Sequence, residues 1–449
     1  MALLRINRKS AILATILAIV LIVSVISFAN FSSRTSVWLS VLTGQLNRDF
    51  VGLIGWLALF VILAAALLLC LRGAKFVHFT RLSWVVSVVC ATGTFGIWAV
   101  EYNRPIESYG YGQSITDANS QSEYLQKNVL SSKVHPTVVP TGLFIQSIHF
   151  ASGNEVDVTG YVWQKYPDGT PKELRRGFVL PEAKDAFHEE NLTLREISRV
   201  KKKDYELHVW FFTCTLRQGY TYQKFPIDRQ NVWLRLWHRD FDKGALLVPD
   251  WESYTEPFNP TALPGLDQEF VREGWTTLYT GFSYQTFKYS SSFGMGKYAE
   301  SPPHPELYFN VGLKRNVTGP LITRIVPVIV VALLLYAALY LTRRQEKKGE
   351  IVGFNIFTVL SYCAALFFVI VIDHATVRST LAPESLIYLD FFYFVLYILT
   401  AFVSLNSILL GVSDDIWIVE YRDNAIPNYL YWPIFFSFIF ICTLTTFTR

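Results

Sequence analysis

The sequence predicts a membrane protein: an all-β sandwich on one side of a bilayer, followed by a four-helix transmembrane bundle and preceded by three additional transmembrane helices. Three observations carry this reading. Seven apolar segments of near-spanning length are arranged three before and four after a polar region. Within that region, run after run alternates apolar and polar residues at period two, the pattern of strands with one buried face. Finally, Tyr308 to Leu341 passes from such an alternating run into a nearly uncharged stretch after Arg315, with no flexible linker between them.

The seven segments are Ser10–Ala29, Val51–Leu71, Ser83–Val100, Ile322–Leu341, Gly353–Ile372, Tyr388–Leu410 and Tyr429–Phe447. They account for an apolar content of 51% and a mean hydropathy of +0.28. Basic residues cluster in alternate connections: Arg5, Arg8 and Lys9 before the first segment, Arg72, Lys75 and Arg81 after the second, and Arg343, Arg344, Lys347 and Lys348 after the fourth. Basic loops stay on the cytoplasmic side, so the amino terminus is expected inside and residues 101–320 outside. The first segment has no convincing small-residue cleavage site and is read as retained. These loops explain the net charge of +4, and no basic run with interleaved aromatics points to nucleic acid. Of five cysteines only Cys214 lies in the outer region, so no disulfide forms within it. A disulfide-free exported domain fits a bacterial inner membrane with residues 101–320 periplasmic, despite sequons at Asn30, Asn191 and Asn316.

In order, residues 1–102 form the three-helix membrane region, 103–137 a linker rich in Ser, Gln, Asn and Gly, 138–320 the sandwich, and 321–449 the four-helix domain. Strands are expected at Gly142–His149 and Val156–Tyr166, joined by a turn at Ala151–Asn154, then at Tyr205–Leu216, Asn231–Trp237, Thr276–Tyr289 and Leu307–Leu313. Many short strands at this spacing indicate a sandwich or barrel. The charged stretch Arg175–Lys203 reads as irregular and partly helical.

Four local features resemble the pentameric ligand-gated ion channels, the Cys-loop receptor superfamily, and specifically its prokaryotic type without the Cys-loop disulfide. Phe225-Pro226-Ile227-Asp228-Arg229-Gln230 before NVWLRLW looks like the family's F-P-x-D-x-Q loop; Arg315 precedes Pro327 by twelve residues; Gly349-Glu350 opens a helix carrying Leu360; and Leu386-Ile387-Tyr388-Leu389-Asp390 enters the next helix. The first three helices have no counterpart in the usual family plan. Independently of the name, Pro226 removes a donor and forces a turn, and Pro327 permits a kink in a membrane helix.

The resemblance implies a homopentamer gated by a small ligand or by protons and conducting cations. Phe225, Pro226, Asp228, Arg315 and Pro327 would form the gating interface, with Phe225 docked on the helices and Asp228 facing Arg315. The pore would be lined by Glu350, Gly353, Phe357, Leu360, Ala364 and Phe367 or Phe368, Glu350 forming an acidic ring and Phe357 with Leu360 an apolar constriction. The polar residues Asn355, Thr358 and Tyr362 fall on a different face of that helix. By the same resemblance the ligand cleft lies under the hairpin Tyr284–Tyr308, with Tyr289, Phe293, Tyr298, Trp237 and Asp240 as an aromatic cage suited to amines. Asp373 and His374, at the outer end of the pore helix, are candidate proton sensors. His238, Asp240 and Asp242 lack further spaced ligands, so no metal and no cofactor is expected. No H-E-x-x-H, G-x-S-x-G or phosphate-binding glycine loop is present, which argues against an enzyme. The alternative expectation is a non-conducting receptor that reuses the channel fold and signals through the amino-terminal helices or a partner.

Overall fold

The computed structural model describes residues 77–129, 136–184, 193–240, 244–255, 258–287, 305–342, 356–412 and 424–448, with a few positions between 52 and 59. The first expected membrane helix and nearly all of the second lie outside the described residues. So do Glu350, Gly353 and Asn355 of the pore helix, Tyr289, Phe293 and Tyr298 of the cleft hairpin, and Asp242.

Helix α1 spans Val77–Tyr102 and starts before the third expected segment. Beyond it the chain does not behave as a linker. It crosses the outer face of a sheet, adds strand β1 (Gln113–Ile115) to that sheet beside residues 282–284, and forms helix α2 (Ala118–Asn128). Composition conceals this because a few tyrosines hold the segment down: Tyr111 stacks on Trp233 at 5.5 Å, Tyr109 meets Tyr279 edge-on at 5.5 Å, and Tyr124 stacks on Tyr284 at 5.0 Å. Asp117 caps α2, its carboxylate accepting from the Ser120 amide at 2.7 Å. Gly110 sits at φ +118°, and a Cβ there would lie 2.3 Å from Asn310 Cγ, so the close approach requires glycine.

Strands β2 (Thr137–Phe150), β3 (Glu155–Pro167), β6 (Tyr205–Arg217), β7 (Arg229–His238), β10 (Trp275–Thr286) and β11 (Pro305–Arg315) coincide with the six alternating runs. The stretch expected to be partly helical holds instead β4 (Phe178–Val179) and β5 (Thr193–Lys201) within its described residues. In β5 the charged residues read as irregular because the strand is an edge, pairing only with β6 among the described residues and exposing both faces. With β8 (Ala245–Pro249) and β9 (Leu266–Arg272), the strands form two sheets. One runs β1-β10-β11-β7-β4; the other runs β5-β6-β3-β2-β8, with β9 also beside β2. A shared apolar core joins their inner faces, with Leu143, Val158 and Phe212 of one sheet against Val232, Phe282 and Phe309 of the other. Each of these buried side chains contributes about 2 kcal/mol through apolar surface removed from water.

β11 runs directly into helix α3 (Thr318–Leu341), whose first part contains a π-helical turn at Leu321–Ile325 just before Pro327. Proline cannot donate to the preceding turn, and the wider turn accommodates the missing bond. Helices α4 (Ile356–Leu381), α5 (Asp390–Val412) and α6 (Ala425–Phe447) follow. α5 packs on α3, α4 and α6, while α1 lies against α6. Among the described residues five helices, α1 and α3 to α6, are long and apolar enough to cross a membrane. This is a membrane protein with a β-sandwich domain.

Candidate functional site at the domain junction

The turn between β6 and β7 sits at the base of the sandwich. Its apolar residues Tyr222, Phe225 and Ile227 belong to the buried cluster of the helices, not to the sandwich core. The Phe225–Pro226 peptide is cis. Asp228, its side chain 1% exposed, meets Arg315 in a two-pronged pair, Nε to Oδ1 at 2.6 Å and Nη2 to Oδ2 at 3.0 Å. Gln230 Nε2 donates to the same carboxylate at 2.9 Å. The guanidinium lies 4.9 Å from the Phe225 ring and 4.1 Å from that of Trp275. Arg315 is the last residue of β11, so this pair fastens the turn to the point where sheet becomes helix.

Three further residues belong to this junction, and no family-like pattern marked them. The β2–β3 turn presses on the end of α4 so closely that a Cβ on Gly153 would lie 1.9 Å from the Leu381 carbonyl oxygen, and Tyr222 donates its hydroxyl to the Gly153 carbonyl at 2.8 Å. Lys224 pairs with Glu101 at the end of α1. Trp98 of α1 donates to the Tyr388 hydroxyl at 2.9 Å, which in turn bonds Thr443 of α6. The turn tetrapeptide was visible in sequence; the partners of Lys224 and Trp98, more than a hundred positions away, were not.

A second polar cluster ties α3, α4 and α5 together. Arg324 pairs with Asp373 at 2.5 Å, and Tyr393 donates to Asp373 at 2.6 Å. Asp390, fully buried, accepts from His374 Nε2 at 3.0 Å, Arg378 at 2.6 Å and the Ile387 amide at 3.0 Å. His374 Nδ1 lies 3.0 Å from the Tyr397 hydroxyl. The expected position of Asp373 and His374 is corrected: they lie inside α4, which continues to Leu381 rather than ending at Ile372. Hydropathy follows only the apolar part, and Thr376 to Leu381 extends the helix as a polar end.

Of the expected pore residues in the described part of α4, Phe357, Ala364, Phe367 and Phe368 lie on its exposed side. α4 buries Val359, Cys363, Leu366, Ile370 and Val377 against its neighbours. The opposite face, which packs on no other element among the described residues, carries Phe357 (80% exposed), Ser361, Ala364, Phe368 (64%) and Ile372 (66%). Leu360 is half-buried, and Phe367 leans towards Tyr397 of α5 at 5.6 Å. Thr358 is exposed, and Tyr362 packs on the helix cluster. A helix apolar all round gives no facing signal, so packing on α5 decides the rotation.

Of the expected cleft residues, Asp240 lies just beyond the end of β7. It is fully buried and committed to Arg175, accepting from its Nε at 2.6 Å and its amide at 2.8 Å. Trp237 is half-buried, with the Arg235 guanidinium 5.2 Å from its ring. His238 beside it is 2% exposed; its Nδ1 accepts from the Asp240 amide and its Nε2 contacts the Tyr166 hydroxyl at 3.2 Å. Burial pushes the His238 pKa down to about 4 from 6.5. The unfolded chain therefore binds the proton more readily. Stability supplied by neutral His238 is complete above pH 6.5 and declines as pH falls towards 4, by up to about 3 kcal/mol. His238→Gln is expected to flatten this part of the stability–pH curve, measured by thermal unfolding in detergent between pH 4 and 7; an unchanged slope would assign the effect to other groups. Among the described residues no group of three or more His, Cys, Asp or Glu side chains is arranged to hold a metal.

No protein-family model matches the chain, and no curated protein matches it significantly.

Proposed function

We propose that this chain is one subunit of a homopentameric, cation-conducting channel, in which a small ligand or protons acting on the outer sandwich move the junction and tilt α4. The Asp228–Arg315 pair carries this reading. It joins a β turn whose aromatic residue lies within the helix cluster to the residue where β11 becomes α3. With the β2–β3 turn seated on the end of α4, displacement of the sandwich acts on the helices at two points. The free face of α4 then lines the axis of a five-fold ring, with Glu350 at its cytoplasmic mouth and the amino terminus inside. Residues 101–320 face the periplasm of a bacterial inner membrane.

One observation favours a second reading, a non-conducting receptor of the same architecture. Phe357, Phe368 and Ile372 on the free face leave an apolar path from which water withdraws. Planar-bilayer recordings of the reconstituted protein, across a pH series and an amine panel, separate the two. The channel reading expects cation current that rises about tenfold in Phe357→Ala, as a dewetting barrier of about 1.4 kcal/mol is removed. It expects cation selectivity to fall in Glu350→Gln. Silence of all three proteins, each folded and pentameric, favours the receptor.

A further inference from the structure

The junction holds a partly open cavity of about 470 Å³ between the end of α1, the segment after it, the β6–β7 turn and the outer face of β7, β10 and β11. Its walls include Arg104, Glu107, Lys224, Arg229 and Tyr279. Most of the surrounding charge is matched: Lys224 pairs with Glu101, Arg104 with Glu107, and Asp228 with Arg315. Two cations are not. Arg229, on the wall, and Lys314, directly across from it in the β7–β11 register, have no carboxylate within salt-bridge distance among the described residues.

Glu101 and Glu107 on the same wall attract Arg229 from beyond contact distance, and its hydrogen-bonded compensation is main chain. Its Nη2 donates to the carbonyls of Glu101 at 3.3 Å, Tyr102 at 3.2 Å and Arg104 at 2.6 Å, covering the carboxyl end of α1. A helix terminus supplies about half a negative charge, so it offsets only part of one cation. Lys314 has the face of Tyr102, 3.9 Å from its Nζ, which is a weak substitute for an anion. Like charges facing each other across a strand pair repel, and both groups are pushed towards deprotonation by burial, Lys314 also by Arg229 itself. A cavity of this size beside an excess of positive charge is chemically incomplete. Only the Nη2 of Arg229 is used by the main chain, which leaves its other nitrogens to bind a ligand.

We propose that this cavity binds a small oxyanion, a carboxylate or phosphate group held by Arg229 and drawn in by the field of Lys314. Because Arg229 also grips the end of α1, the bound anion locks the amino-terminal helix to the β6–β7 turn. The oxyanion can arrive as a free solute or as the headgroup of an anionic lipid at the same level. The proposal concerns binding and does not depend on whether the pore conducts.

Thermal unfolding of the full chain in detergent tests it, with sodium phosphate, sodium succinate or sodium chloride at matched ionic strength, which keeps general screening constant. A parallel arm compares phosphatidylglycerol with phosphatidylcholine nanodiscs. The expected result is a rise in Tm of about 4 °C with phosphate or succinate over chloride near saturation, or with phosphatidylglycerol over phosphatidylcholine. A rise in the first arm identifies a free solute, and a rise in the lipid arm alone identifies a headgroup. The apparent affinity is expected to weaken about tenfold in Lys314→Gln, which leaves the Arg229 contacts to α1 in place, and to be lost in Arg229→Gln. Should Arg229→Gln not fold, Lys314→Gln decides alone. No rise in either arm, or an undiminished rise in Lys314→Gln, overturns the proposal.

Discussion

Replacing Arg315 with alanine is expected to destabilise the protein by about 3–5 kcal/mol, the range found when one partner of a buried ion pair is removed. The size follows from what remains. Asp228, its side chain 1% exposed, would lose both prongs of the guanidinium and keep only the Gln230 side-chain amide. The rings of Phe225 and Trp275 would lose the flat cation packed between them. Arg315→Lys retains the charge but neither the fork nor the flat surface, so it should fall between wild type and alanine. The double variant Asp228→Ala with Arg315→Ala should cost less than the sum of the two singles, because neither charge is stranded. Denaturant unfolding in detergent, followed by tryptophan emission, measures all four. Strict additivity would show that the pair is not an energetic unit and would remove the main support for the proposed coupling.

The next largest effect is expected at Asp390, where substitution by alanine should cost about 2–4 kcal/mol. This carboxylate is fully buried and accepts from His374, Arg378 and the Ile387 amide at once. It also lies in the first turn of α5, where the helix end favours a negative charge. Its removal strands three donors and loosens the hold of α4 on α5. Asp373 offers the contrast: it too makes an ion pair and accepts from a tyrosine, yet its side chain is 28% exposed and water can replace those partners. Asp373→Asn is therefore expected to cost about 1 kcal/mol. Melting temperatures of Asp390→Ala and Asp373→Asn in the same detergent rank the two, and a larger loss at Asp373 would contradict the account of burial.

The sandwich was legible because strands with one face in a core must alternate, and β3 buries every second residue along nearly its whole length. The membrane helices were legible because a bilayer demands long apolar runs. The Asp228–Arg315 pairing was accessible through a resemblance in the order and spacing of residues around Pro226 and Pro327. Where those regularities end, reading by composition failed. The segment after α1 was taken for a linker because its Ser, Gln and Asn residues outnumber the tyrosines that hold it to the sheet. β5 was misread because an edge strand exposes charge on both faces, and nothing local marks Arg175 as the partner of Asp240.

By itself, then, the sequence determined the class of element at most positions: which stretches must be strands, which must cross a membrane, and where one passes into the other. Those properties are local, set by the periodicity and hydropathy of neighbouring residues. Tertiary structure alone decided which face of α4 is left free, that α1 reaches the β6–β7 turn through Glu101, and that Arg229 and Lys314 face each other beside a cavity without a matching anion. Each of these depends on residues distant in the chain meeting in space. A uniformly apolar helix or an isolated arginine carries no local mark of its partner.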